Sequence, residues 1–287
     1  MVGASHKGKA DDKQKVLQRL ERTITSECKI IRRSMDKAIQ AFEKSLNNGI
    51  EKSQRSCEKR LKSVIRPRGS GSGFHKTLRS VVEKGGVHKT QKGKEINLNM
   101  TLSSSLTKSI DKEFMKTFPN DREKGAFRNS IKKFSLRANQ LTKKHKDLEL
   151  ILIFLKTEED KIKTTVNSTI RDVKKNIYLS LTETIEDRMK PAYERAAGFK
   201  GKDSLKKMRE TLENHVKESK SQMFREAKDR MLVLLNELRD KIVMDFENTL
   251  ENSVKLSLCT DGTSVPDVSK ELDAVNDIYD KLERSSR

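Results

Sequence analysis

The residues of this chain best suited to chemistry are basic ones. Lys132-Lys133 is followed after nine residues by Lys143-Lys144-His145-Lys146, with Arg128 and Arg137 alongside. Basic pairs at this spacing suit a two-part nuclear import signal, or a ridge that contacts successive phosphates and releases a counterion at each contact. They also suit the solvated face of an ordinary helix. Aromatic residues do not interleave with the basic ones as base stacking requires, so nucleic acid held here would be bound with little sequence preference.

Other reaction chemistry is absent from the pattern. A phosphate-binding loop needs four residues between its glycines, and Lys-Ser or Lys-Thr after the second. The nearest approach, Gly86 to Lys94, has six intervening residues and then Glu95. The histidines (His6, His75, His88, His145, His215) are scattered, and none lies three or four residues from another His or a Cys, so zinc-ligand spacing is missing. Cys28, Cys57 and Cys259 are odd in number and far apart, a usage that fits reduced, intracellular thiols. The carboxylates are too many for any one pair to stand out. The chain is therefore read as non-enzymatic, with no catalytic, cofactor-binding or metal-binding residue to name.

The formal net charge is +20 over 287 residues, and its distribution matters more than its size. Residues 1–150 hold 36 Lys and Arg against 16 Asp and Glu, whereas residues 151–287 hold 26 of each. A basic half beside a neutral half suggests an acidic partner for the first: nucleic acid, an anionic membrane surface or an acidic protein face. Hydrophobic residues make up only 33%, Trp is absent, and the longest apolar run, Leu150 to Leu155, is far short of the ~20 residues of a membrane span. Without secretion, the acceptor patterns at Asn99 and Asn167 carry no weight.

The elements that must position these residues are helices. From Lys202 to Asp261 sixty residues pass without Gly or Pro. Their apolar stripe is Leu205, Met208, Leu212, Val216, Met223, Ala227, Met231, Leu234, Leu238 and Ile242, the period of an α-helix face. Such a helix can bury its stripe only against other long helices, and the fold class expected is all-α, an elongated bundle of long antiparallel helices.

Residues 1–10 read as a disordered N-terminus. Asp11 and Asp12 suit the start of a helical arm over 11–66, with the stripe Leu17, Leu20, Ile24, Cys28, Ile31, Met35, Ile39, Phe42 and Leu46. Asn47-Asn48-Gly49 signals a cap or a bend. Residues 67–73, Gly- and Ser-rich after Pro67, form a flexible linker, and 74–287 form the main bundle. In it, residues 74–82 form a short helix, the basic segment from His88 to Lys94 a loop, and a helix from Asn99 ends at Pro119. The 65 residues between Gly125 and Pro191 form one helix, or two with a bend near His145. The run Leu148 to Leu155 reads as a helical section buried all round. Pro191 opens a short helix at Tyr193 to Ala197, Asp203 caps the long one, and a last amphipathic helix carries Val268, Leu272, Val275, Tyr279 and Leu282.

Several strings resemble the C-terminal helical region of the SLIP-GC family of nuclear, dynamin-like large GTPases. They are Gly73-Phe-His-Lys-Thr-Leu78, Ile96-Asn-Leu-Asn99, Tyr193-Glu-Arg-Ala-Ala197 with Gly201-Lys202 and Lys207-Met208, Met223-Phe-Arg-Glu-Ala-Lys-Asp-Arg-Met231, and Lys270-Glu-Leu-Asp-Ala274. Their order and rough spacing follow that family over about residues 73 to 284. The resemblance implies a dynamin-stalk-like helical module, a nuclear location, and partnership with a second copy or with a GTPase domain. It implies GTP and Mg only for a family domain this chain lacks, since no phosphate loop, D-x-x-G or [NT]-K-x-D is present. The chain reads as a fragment or truncated paralogue, with a basic module for nucleic acid or anionic membrane, through residues 1–150, as the alternative.

Overall fold

The computed structural model describes residues 2–69, 71, 73–90, 93–120 and 124–259, with side chains for all of these but 2–11, 258 and 259. The chain order is α1 (Val2–Ile65), α2 (Phe74–Glu83), β1 (Val87–Lys89), β2 (Glu95–Asn97), α3 (Leu98–Thr117), α4 (Ala126–Lys133), α5 (Ala138–Thr142), a 3-10 turn (Lys146–Leu148), α6 (Glu149–Ala197) and α7 (Ser204–Cys259). The fold is all-α apart from the small antiparallel hairpin, in which Val87 faces Asn97 and Lys89 faces Glu95.

Side-chain pairs fix how the long helices run. Along α1, Arg32, Glu58 and Arg66 meet Asp240, Lys220 and Glu213 of α7, so rising numbers on one helix match falling numbers on the other. α6 is likewise antiparallel to α7, because Arg188 bonds Glu226 and Arg195 reaches His215. α3 runs against α1 through Ser105 to Ser56 and Phe114 to Phe42, and against α6 through Asn99 to Tyr193 and Asp111 to Tyr178. Four helices thus form a closed ring, α1, α3, α6, α7, each neighbour antiparallel. Beyond Pro119, α3 stops, and α4 and α5 take its place against α1 and α6.

The predicted stripes become the core. On α1 every predicted position from Leu17 to Leu46 is buried, and burial continues through Ile50, Cys57, Leu61 and Ile65. The α7 stripe is buried at Met208, Leu212, Val216, Met223, Ala227, Met231, Leu238 and Ile242, but Leu235 takes the place predicted for Leu234, which is only partly covered. Cys28 and Cys57 are free thiols in this core. Burial, then Glu247, Glu251 and Glu27 nearby, pushes the Cys28 thiol up to about 12, so it packs as a small inert hydrophobe.

The structure corrects the expected boundaries. α1 begins at Val2, so helix runs through the segment read as a disordered terminus, and Asp11 and Asp12 lie inside it. No proline interrupts residues 2–65, and extending an existing helix costs far less than nucleating one. The expected arm is not set apart from the bundle: α1 is one wall of the ring. Gly49 neither caps nor stops α1. A Cβ there would stand 2.2 Å from Ser109 Oγ and 3.1 Å from Leu106 Cδ1, so glycine serves close approach of α3.

Further along, His88 and Lys89 of the expected basic loop are not loop but part of β1, paired with Ile96 and Glu95 of β2. The stretch after Gly125 is neither one helix nor two. It breaks at residues 134–137, where Arg137 adopts a left-handed conformation (φ 57°), and again before α6. Gly125 itself, at φ 119°, makes the turn from α3 into α4, and a Cβ there would meet Thr117 O at 2.4 Å.

Pro191 does not open a new helix, because α6 continues through it to Ala197. A proline in mid-helix removes a donor and disturbs the carbonyls one turn earlier. The N–H missing at Pro191 is the one that Asp187 O would accept from; one residue on, Arg188 O accepts from His215 Nε2 of α7 at 2.8 Å, which ties this turn to α7. A carbonyl only accepts, so this nitrogen carries the proton. Asp203, at φ 64°, precedes α7 and accepts from Lys207 N at 3.0 Å through its carbonyl. The run Leu148 to Leu155 is helical from Glu149 but is not buried all round: Leu150 is 82% exposed, Ile153 52% and Phe154 40%, while Leu152 and Leu155 face the core. The helix expected at 268–282 lies outside the described residues.

Candidate anion-binding groove

Arg19, Arg22 and Ser26 fall on one face of α1 at helical spacing. Opposite them stand Arg137, at the start of α5, and Lys143 and Lys144, at its end. Together they line a groove of about 550 Å³, floored by Leu136 and Leu141. Arg19, Arg22, Lys143 and Lys144 are exposed, and none meets a carboxylate within ion-pair distance among the described residues. One acid enters the groove: Glu27 Oε1 lies 4.0 Å from Arg137 Nη2. Thr23 and Ser26 add hydroxyls, and Gln140 an amide. The arrangement can accept phosphate or carboxylate groups, through unpaired cations on two sides and neutral donors between them.

A buried clamp holds the turn that presents Arg137. Glu159 of α6 is 1% exposed, and its Oε2 accepts from Leu136 N at 2.9 Å. Its other oxygen accepts from Lys163 Nζ at 2.6 Å and Lys156 Nζ at 3.3 Å. Lys163 also donates to Phe134 O at 2.7 Å, so one carboxylate and one ammonium tie down both sides of the break. Burial works against the charge on Lys156, yet the bonds to Asp160 and Glu159 win and raise its pKa. With Phe134, Leu136 and Leu141 seated in the core, the backbone of Arg137 is held in its left-handed conformation by its neighbours.

The predicted basic cluster is only partly assembled here. Arg137, Lys143 and Lys144 converge on the groove. Lys132 and Lys133 are exposed in the last turn of α4, Lys146 is exposed in the 3-10 turn, and Arg128 is half-buried; none of these lines the groove. Phe134, Leu136, Ala138 and Leu141, between the two lysine pairs, are core residues. Reading the pairs as one extended peptide would mean pulling them out. Arg19 and Arg22 complete the groove from more than a hundred residues away in sequence, and no local pattern could have joined them to it. Glu159 was hidden among many carboxylates; its spacing to Lys156 and Lys163 was its only signal.

Asn99 is fully buried, its side chain bonded to Tyr193 Oη at 2.6 Å and Gly85 O at 2.8 Å. Burial, then Glu186, raises the Tyr193 pKa and keeps that hydroxyl protonated. Among the described residues no group of three or more His, Cys, Asp or Glu could hold a metal ion, and no helix is long and apolar enough to cross a membrane.

No protein-family model matches this chain. No solved structure matches it either. It is 25% identical over 284 residues to nuclear GTPase SLIP-GC of Mus musculus, covering 93% of this chain and 34% of that protein. With nuclear GTPase SLIP-GC of Homo sapiens it shares 24% identity over 285 residues, with the same coverage. The chain is thus homologous to part of those proteins and spans about a third of the length of the curated relatives it matches.

Proposed function

We propose that this chain is a non-catalytic, stalk-like helical module of a nuclear dynamin-like GTPase, corresponding to a region outside the GTPase domain, and that it works by self-association or by contact with a GTPase domain. Homology to a third of nuclear GTPase SLIP-GC supports the placement. One observation carries the mode of action: Leu150, Ile153 and Phe154 form an apolar face on the first turns of α6 that no part of the described chain covers. Residues at i, i+3 and i+4 share a helix face, and clustered exposed apolar side chains mark contact sites.

Sedimentation velocity over a range of concentrations tests the reading. Reversible self-association is expected, and Ile153→Glu with Phe154→Glu shifts the distribution to monomer. A monomer at every concentration that also fails to bind a GTPase domain of the family removes the proposal.

The groove favours a second reading, in which residues 1–150 hold a polyanion such as nucleic acid or an anionic membrane. Arg19, Arg22, Arg137, Lys143 and Lys144 supply the charge. Affinity for a single-stranded oligonucleotide should fall steeply with salt, as counterion release requires, and charge reversal at Arg137, Lys143 and Lys144 should abolish it. Affinity that stays flat as salt rises would sink this reading.

A further inference from the structure

At the end of the bundle away from the groove, α2 and the β1–β2 hairpin line a second, solvent-open cavity of about 600 Å³. α2 contributes Lys76, Thr77 and Ser80; the hairpin contributes His88, Lys89, Thr90 and Lys94. Lys76, Lys89 and Lys94 are exposed, and their ammonium groups pair with no carboxylate among the described residues. The nearby acids do not neutralise them. Glu95 stands opposite Lys89 in the hairpin register without forming an ion pair, and Glu83 is engaged by Arg79 at 3.6 Å.

The neutral groups are arranged to donate. Thr90 Oγ1 accepts from Lys94 N at 3.0 Å, which leaves its proton free for a ligand. The hydroxyls of Thr77 and Ser80 have no hydrogen-bond partner among the described residues. His88 Nδ1 is buried without a partner, and buried polar atoms left unpaired are uncommon and costly. A half-turn of the ring exchanges Nδ1 with a carbon and gives up no bond at that nitrogen.

We propose that this cavity binds a small, soluble ligand carrying more than one phosphate group. Lys76, Lys89 and Lys94 contact the phosphate oxygens, and Thr77, Ser80 and Thr90 donate to them. A lysine ammonium is a compact point charge suited to phosphate, and three of them with no protein counter-charge ask for more negative charge than one carboxylate brings. The volume falls within the ~300–1,000 Å³ of small-molecule sites, which suits a compact ligand better than a strand tracked over many phosphates.

Isothermal titration calorimetry of the full chain at physiological salt tests this, with inorganic pyrophosphate and inositol hexakisphosphate as probes. Saturable binding of at least one probe is expected. Lys89→Gln with Lys94→Gln should weaken it about tenfold or more, as loss of charged hydrogen bonds implies. Lys89→Arg with Lys94→Arg should keep most of the affinity, and the same ranking of variants should hold in an Arg137→Gln, Lys144→Gln background, which removes the groove's own contribution to phosphate binding. Vesicles bearing a phosphoinositide form a second arm; if they bind more tightly than both soluble probes, the soluble ligand is overturned. Failure of the parent chain to bind either probe, or equal binding by the Gln variant with unaltered helical circular dichroism, also overturns it.

Discussion

The bundle has two halves built from the same three long helices, and they differ in the fourth member. In one half, α3 runs unbroken for 20 residues and closes the ring between α1 and α6. Its seams are tight. Gly49 lets Ser109 sit against α1, Ser103 bonds Thr182 at 2.9 Å, and Asp111 accepts from Tyr178 at 2.8 Å. In the other half the same place is filled by α4, a left-handed turn and the five-residue α5. A broken wall cannot cover two long neighbours evenly. It opens the basic groove beside α1, while Leu150, Ile153 and Phe154 stand uncovered at the start of α6. Continuity of one short helix thus separates a sealed half from one that offers surfaces to partners.

The halves meet at a concentration of scarce aromatic residues. Phe42, Phe114, Phe118, Phe127 and Tyr178 are linked ring to ring, with centroids 4.9 to 6.4 Å apart, where α3 gives way to α4. Breaking this junction should have the largest effect on the comparison. Phe42→Ala is expected to cost about 3–5 kcal/mol, the usual penalty for a large cavity, read by urea unfolding monitored at 222 nm. If the junction couples the halves, unfolding splits into two transitions in this variant.

Glu159→Ala should act on the broken half alone. It leaves Leu136 N unpaired and the Lys163 charge uncompensated, at about 1–3 kcal/mol. Amide exchange should accelerate at 134–142 and stay unchanged in α3, and oligonucleotide affinity at the groove should drop with it. Gly49→Ala is the counterpart in the sealed half. Its methyl collides with Ser109 Oγ, for an expected loss of about 1–3 kcal/mol that Ser109→Gly partly restores.

The smallest effect is electrostatic. A hydrogen bond from Arg66 Nε at 2.7 Å holds the Glu213 carboxyl below its ordinary value, against the opposing pull of burial. Folding therefore favours the ionised form. Its contribution is complete above the ordinary carboxylate pKa of ~4.3 and is lost as pH falls through the depressed value. With Arg66 44% exposed, solvent screening keeps this under about 1 kcal/mol. Arg66→Met should lower stability by that small amount at every pH above ~4.3, with the difference from the parent vanishing as pH falls, so that the acid limb of the stability profile becomes slightly shallower.

The stripes of α1 and α7 were legible because each long helix buries one face along its whole length, so periodicity alone reveals it. The fate of Leu150, Ile153 and Phe154 was not, because burial depends on what lies across the gap, and the break at Arg137 decides that. Local signals were misread where a distant partner answers them. Pro191 looked like a helix start, yet α6 runs through it, with the turn before the proline tied to α7 by His215 on Arg188 O, and Gly49 looked like a bend until α3 explained the missing side chain. Of the groove, the sequence displayed Arg137, Lys143 and Lys144; Arg19 and Arg22 join only through the antiparallel return of the chain.

The pairs that join α1 to α7 have a mechanical consequence. A stripe repeating every three or four residues looks nearly the same after a slide of one helical turn, so grease alone would tolerate several alignments of such long rods. Arg32 with Asp240, Asp36 with Arg239, Glu58 with Lys220 and Arg66 with Glu213 repeat less faithfully: a slip of four residues in either direction mismatches all four together, and a slip of three loses at least the Asp36 pair. They act as the teeth of a ratchet, favouring one notch for the two rods.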